Sequence, residues 1–378
     1  MSSRNYVNNM RIKTITCHDV YNFGASLQAY ALQQFLVGRG HQVEIIDYLP
    51  TYKHFYEWLK ICELGFIGKV GIKLPFFKPI FALIQHRKWL KELLKIYRFK
   101  SFKKNKLLCT KQSYKSIEEL INNKPEADLY IAGSDQIWNT AFLNGLDPAY
   151  YCMFEKDKNK CISYAASFAL TSIPSEHQEF VKKGLSNFRS ISVREQSGVK
   201  IAKEFGFEAT NVLDPVFLLS KEEWNRIIKK QHKGKYLLVY DFSNKDPRID
   251  EIAQKIAMER GLDVYSFNSD KPYISKVLRN CGPIEFLEWI NDADMVISNS
   301  FHATAFSTIF QRDFYTIPLL GYGNSSRMKD FLDMVGLSSR YINDIKQIDV
   351  SKHIDYDSVQ PLLEAKRKES ISWLKNNI

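Results

Sequence analysis

No apolar run in this 378-residue chain approaches the roughly 18 residues needed to span a bilayer. The opening stretch, MSSRNYVNNMRIKTITC, also has no apolar core of signal-peptide length before its first strand, and together these absences predict a cytoplasmic protein. Cysteine is sparse: Cys17, Cys62, Cys109, Cys152, Cys161 and Cys281 form no Cys-x-x-Cys pair and neighbour no histidine cluster, which argues against a zinc site or a disulfide framework. They read as reduced, mostly buried thiols, and no metal is expected. The three-glycine dinucleotide fingerprint is missing from the early loop Asn22-Phe23-Gly24-Ala25-Ser26-Leu27-Gln28, so a nicotinamide cofactor is poorly supported. No internal repeat or low-complexity tract is visible.

What is present is an ordinary globular composition, 45% hydrophobic and 13% aromatic, at a length that suggests about two domains. Ile12 to Cys17 alternates like a strand, a helix follows through Leu27, Tyr30, Ala31, Phe35 and Leu36 until Gly38 and Gly40, and Val43 to Tyr48 is the next strand. That is a βαβ unit. Further strands are expected at Asp128–Ala132, Cys161–Ala165 and Ser190–Val193, each with polar residues at its carboxyl end, the edge where open α/β sheets bind ligands. A second set begins at Tyr236–Tyr240 and runs through strands at Asp263–Phe267, Met295–Ile297 and Phe314–Ile317, with a final helix over Val359 to Lys375. The expectation is an α/β protein with two Rossmann-like domains facing a cleft, GT-B-like, with a basic helical insertion in the first. The divisions expected are 1–213, a linker at 214–234 holding a short helix around Lys221 to Lys230, a second domain at 235–355, and a helix at 356–378.

The most informative segment is Asp294 to Ser307. Its apolar Met295-Val296-Ile297 suits a strand covered on both faces, Ser298, Asn299 and Ser300 are candidate caps for the next helix, and His302 falls in that helix's first turn. Free N–H groups and the helix dipole favour an anion there. Asn22, Gly24 and Gln28 in the early loop, and Ser134, Asp135, Gln136 and Asn139 beside Gly133, offer amides, a hydroxyl and a carboxylate suited to sugar hydroxyls. Trp138 fits either a sugar platform or the core.

In order along the chain, the stretches NFGASLQAYAL, GSDQIWN, SYAASF (Ser163 to Phe168), SVRE (Ser192 to Glu195), LDPVFLL (Leu213 to Leu219) and NSFHATAFS (Asn299 to Ser307) resemble the polysaccharide pyruvyl transferase family. The resemblance implies a fold similar to the GT-B nucleotide-sugar glycosyltransferases. It also implies transfer of pyruvate from phosphoenolpyruvate, a donor substrate rather than a cofactor, to two hydroxyls of a sugar as a cyclic ketal in surface or capsular polysaccharide synthesis. Under it, His302, Arg194 and Asp135 are candidate catalytic residues. Arg194, Ser300, Phe301, His302 and Arg327 are candidate donor ligands, and Asn22, Gly24, Gln28, Ser134, Asp135, Gln136 and Asn139 face the acceptor. Two positions depart from the family pattern. Ser300 stands where many members carry a basic residue, for which Arg327 is the candidate replacement, and Ala25 stands where many carry aspartate. The alternatives are a GT-B glycosyltransferase with Arg194 and Arg327 on a nucleotide-sugar diphosphate, and a non-catalytic binding protein.

Charge is concentrated in one place. Residues 53–111 hold fifteen Lys and Arg against Glu57, Glu63 and Glu92, enough to account for the whole formal net charge of +11. Aromatic and aliphatic residues interleave with the lysines, which suits an anionic membrane surface and a lipid-linked oligosaccharide acceptor. No nucleic-acid module accompanies this charge, so no nucleic-acid partner is expected.

Overall fold

The computed structural model describes residues 9–52, 78–242, 245–319 and 326–378. Five parallel strands, β1 (Arg11–Ile15), β2 (Gln42–Tyr48), β3 (Cys109–Tyr114), β4 (Leu129–Ala132) and β5 (Cys161–Ser163), form the first sheet in the order β3-β2-β1-β4-β5. A parallel pair, β6 (Ile191–Val193) and β7 (Ala209–Asn211), continues it through bridges Ile162 to Ser190 and Ala166 to Val193. The second sheet holds β8 (Tyr236–Tyr240), β9 (Asp263–Ser266), β10 (Lys276–Val277), β11 (Met295–Ser298) and β12 (Asp313–Thr316), in the order β10-β9-β8-β11-β12. Both sheets share one winding, the 3-2-1-4-5 order of a Rossmann-like unit. The repeat is one of topology, which is why no sequence repeat announces it. All four residues of β11 are buried, as helices on both faces of a parallel sheet require.

Helix α1 (Phe23–Val37) joins the halves. Thirteen of its fifteen residues are buried, so it is covered on all sides rather than amphipathic. Phe23 stacks on Phe286 of the second half at 4.5 Å and also touches Phe267 and Tyr240. The basic helix α2 (Lys78–Lys106) lies against the same junction: Phe99 stacks on Phe23 at 5.5 Å, and Arg98 pairs with Glu285 and donates to the Asn280 carbonyl at 2.7 Å. The expected insertion therefore ends differently from its sequence limits. Cys109, Thr110 and Lys111 belong to edge strand β3, and residues 53–77 lie outside the described residues.

The remaining helices are α3 (Ile117–Asn122), α4 (Gln178–Leu185), α5 (Gln196–Glu204), α6 (Lys221–Asn225), α7 (Pro247–Arg260), α8 (Pro283–Asn291), α9 (Phe301–Ile309), α10 (Ser326–Met334) and α11 (Tyr356–Asn376). Helix α6 stops short of the expected Lys230 because the Lys229 and Lys230 N–H groups turn to the Glu288 carboxylate at 3.1 and 3.0 Å. Helix α11 returns to the first half, where Ser370 accepts from the Leu213 N–H at 3.0 Å. No helix among the described residues is long and apolar enough to cross a membrane.

Candidate active site at the junction of the two sheets

The turn from β11 into α9 leaves the helix start open. Ser298 donates to the Tyr240 carbonyl at 2.8 Å and accepts from the Ser300 N–H at 2.9 Å, while Asn299 donates to Asp241 at 2.8 Å and accepts from the Phe242 N–H at 2.7 Å. Ser300 occupies the cap position without making a side-chain cap bond. The expected capping is thus corrected: these side chains tie β11 to the end of β8 instead. The first-turn N–H groups at Phe301, His302 and Ala303 keep no intrahelical partner, and the dipole's positive end points out of the turn.

His302, 9% exposed, is wedged against α1. A Cβ on Gly24 would fall 1.9 Å from its Nδ1, so only glycine lets the imidazole stand there. The ring lies edge-on to Phe301 at 5.3 Å, and Nε2 is 3.6 Å from Asp214 Oδ2. Asp214 is fully buried where the chain leaves the first half. Its Oδ2 receives Arg194 Nη1 at 2.6 Å and the Ser134 hydroxyl at 3.0 Å. Burial alone would push this carboxyl up, but His302 and Arg194 outweigh it and hold Asp214 well below the usual carboxylate range.

Two guanidinium groups flank the Phe301 ring, Arg194 at 4.8 Å and Arg327 at 5.8 Å from its centre. Arg194 comes from the end of β6 in the first half, and Arg327 from the first turn of α10 in the second. The Gln136 amide, with its carbonyl toward Arg327, accepts from that guanidinium at 2.9 and 3.0 Å. Burial and the neighbouring Arg194 bring Arg327 down to about 10. Buried donors remain unused: Arg194 Nε and Nη2, Arg327 Nε and His302 Nε2 have no hydrogen-bond partner among the described residues. Polar atoms so placed cost about 1–3 kcal/mol each when unsatisfied, a cost that an anionic ligand would remove.

Asp135, in the loop after β4 and bridged to Ala166, has φ 79°, a left-handed conformation strained for a residue with a side chain and recurrent at functional sites. Its half-buried carboxylate joins Asp214 and Glu195 in favouring the charged form of Arg194, and it only partly offsets the burial that lowers Arg327. Glu195, unassigned in the sequence reading, is fully buried. Its Oε1 accepts from the Ser167 hydroxyl and the Phe168 and Ala169 N–H groups at 2.9–3.1 Å, while Oε2 has no partner among the described residues.

Most of the expected acceptor residues support this cluster rather than facing a ligand. Asn22 accepts from the Ala25 N–H and so caps α1, Gly24 packs on His302, and Ser134 bonds Asp214. Gln28 is fully buried and donates to Thr16 and to the Ala25 carbonyl, and the buried Asn139 accepts from the Ala141 N–H. Of that set Asn22, Asp135 and Gln136 are half-buried and the rest are buried. Trp138 is core: it stacks on Tyr151 at 5.4 Å and donates to the Tyr150 carbonyl.

Among the described residues one group of potential metal ligands, the buried His18 and Asp47 with the half-buried Cys109, gathers within 4.8 Å, a proximity the sequence spacing conceals. The Lys103 ammonium already pairs with Asp47 there at 2.6 Å.

A model of the polysaccharide pyruvyl transferase family matches residues 22–318, which take in the whole cluster except Arg327. The chain belongs to that family. No curated protein shows a significant match to it. Among solved structures, a UDP-N-acetylglucosamine 2-epimerase from Rickettsia bellii is 8% identical, with 97% of this chain and 95% of that one covered at a TM-score of 0.51. The UDP-GlcNAc 2-epimerase of Methanocaldococcus jannaschii is 12% identical, with 94% and 93% covered at 0.47. At such identity the Rickettsia likeness concerns the fold alone: a polysaccharide pyruvyl transferase family member built on two Rossmann-like sheets in the GT-B manner.

Proposed function

We propose that this pyruvyl transferase family member moves pyruvate from phosphoenolpyruvate to two hydroxyls of a sugar, forming a cyclic ketal and releasing phosphate. The observation that carries the reading is the convergence of unused buried donors from Arg194, Arg327 and His302 on the uncapped start of α9. Phosphoenolpyruvate brings a carboxylate and a phosphate, and guanidinium forks with helix N–H groups are complementary to both. Arg327 supplies the cation that Ser300 does not, and the neutral Gln136 amide is its hydrogen-bond partner among the described residues.

In this reading His302 delivers a proton to the enol methylene, leaving an oxocarbenium-like carbon that the first sugar hydroxyl attacks. That hydroxyl's proton passes to Asp135. The C–O bond to phosphate then breaks, the second hydroxyl closes the ring and returns a proton to His302, and the proton held by Asp135 leaves with the phosphate. Asp214 backs the imidazole while binding Arg194, which fixes the acid relative to the donor. Calorimetric titration with phosphoenolpyruvate, with UDP-galactose as control, tests the proposal. Wild type should bind phosphoenolpyruvate, and His302→Ala should bind it more weakly. Binding of the nucleotide sugar alone would replace this reading with a glycosyltransferase one.

A further inference from the structure

Helix α2 presents two different faces. Its inner face is committed: Phe99 and Phe102 are buried, Arg98 holds Glu285, and Lys103 pairs with Asp19 and Asp47 at 2.9 and 2.6 Å. Its outer face carries Leu94, Tyr97, Lys100 and Lys104 at helical spacing, followed by Leu108. Leu94, Tyr97 and Leu108 are 44%, 66% and 58% exposed, and both lysines are exposed. Lys111, exposed on edge strand β3, extends the positive charge.

We propose that this outer face docks the protein on an anionic lipid bilayer. Exposed aliphatic and aromatic side chains interleaved with lysines match the boundary between headgroups and acyl chains, where both kinds of group gain. A second copy of the chain would bring like charges together. A nucleic acid would leave Leu94 and Leu108 without a partner. Because the opposite face of α2 bears on Phe23 and Glu285 at the junction of the sheets, docking there holds the cleft next to the membrane. Given the pyruvyl transfer proposed above, the acceptor is then a saccharide carried on a membrane lipid; the docking itself does not depend on that reaction.

Vesicle sedimentation of the full chain tests the proposal, using phosphatidylcholine mixed three to one with phosphatidylglycerol and phosphatidylcholine alone as control. Wild type should pellet with the mixed vesicles only. Lys100→Glu with Lys104→Glu should weaken partitioning by about thirtyfold or more, from roughly fivefold per surface lysine. Leu94→Ser with Tyr97→Ser should weaken it as well, and both double variants should keep the wild-type thermal midpoint because the altered side chains are exposed. Lys103 is left intact, since its reversal would break the pairs with Asp19 and Asp47. Wild type remaining in the supernatant, or variants pelleting as wild type does, would overturn the docking. Vesicle binding without phosphoenolpyruvate binding would instead remove the proposed reaction and leave the docking standing.

Discussion

Two buried clusters in this molecule have the same composition and opposite states of completion. At the carboxyl ends of β1 and β2 in the first half, Asp47 is held by His18 at 2.9 Å, Lys103 at 2.6 Å and the Ser113 hydroxyl. At the junction, Asp214 is held by Arg194 at 2.6 Å and Ser134 at 3.0 Å, with His302 at 3.6 Å. In both, burial opposes the charge and the neighbours overcome it, leaving each carboxylate well below its usual range. The first cluster is complete: both His18 nitrogens have partners, the Thr16 carbonyl and Asp47, and Lys103 serves two carboxylates. The second leaves four donor atoms on Arg194, Arg327 and His302 unused. A carboxylate–histidine–cation group is therefore structural or functional according to what it leaves open, and the residue types alone do not distinguish the two.

The sharpest way to break this comparison is to remove each histidine. His302→Ala should lower turnover by about 10²–10⁴, the usual contribution of a positioned acid, with little change in urea midpoint. His18→Ala should do the reverse, destabilising by roughly 1–3 kcal/mol through loss of its buried hydrogen bond to Asp47 while turnover persists. Next in size, Gly24→Ala should cost on the order of 10² in turnover, because the new methyl displaces the imidazole from its position against α1; a kcat measurement beside an unchanged far-ultraviolet spectrum checks it. Smaller is Arg327→Met. Phosphoenolpyruvate affinity should fall roughly 10–100-fold, as for loss of a charged hydrogen bond, while the thermal midpoint holds or rises, because an under-compensated buried cation is replaced by an apolar chain.

The mildest effect is on acid stability. Both aspartates are depressed in the folded state, so the stability they contribute is complete above the unfolded aspartate range near pH ~4 and is lost as pH falls below it toward the folded values. Urea midpoints measured from pH 6 downward should fall for wild type and fall less steeply for Asp47→Asn or Asp214→Asn.

Much of the site was legible because polar residues at the carboxyl ends of strands mark the ligand edge of an α/β sheet, and His302 and Arg194 both stand there. Asp214 was hidden because Leu213-Asp214-Pro215 reads as a break between domains, and only the fold brings it between Arg194 and His302. In the loops assigned to the acceptor, the same side-chain chemistry also serves the scaffold. Amides and hydroxyls that suit a sugar are equally suited to hold backbone, as Gln28 and Asn139 do. Edge strand β3 was missed because Cys-Thr-Lys-Gln-Ser-Tyr has the polarity of a loop, and its pairing with β2 is tertiary information. The all-round burial of α1 marks it as a junction helix, which its sequence shows only as unusual hydrophobicity.

The measurement that bears most directly on the junction cluster is the thermal shift produced by phosphoenolpyruvate in wild type, His18→Ala and Arg327→Met. An unfinished anion site requires a rise in wild type, a comparable rise in His18→Ala from its lower starting point, and a markedly smaller one in Arg327→Met at the same ligand concentration. Equal shifts in wild type and Arg327→Met, or no shift in wild type, would contradict the account.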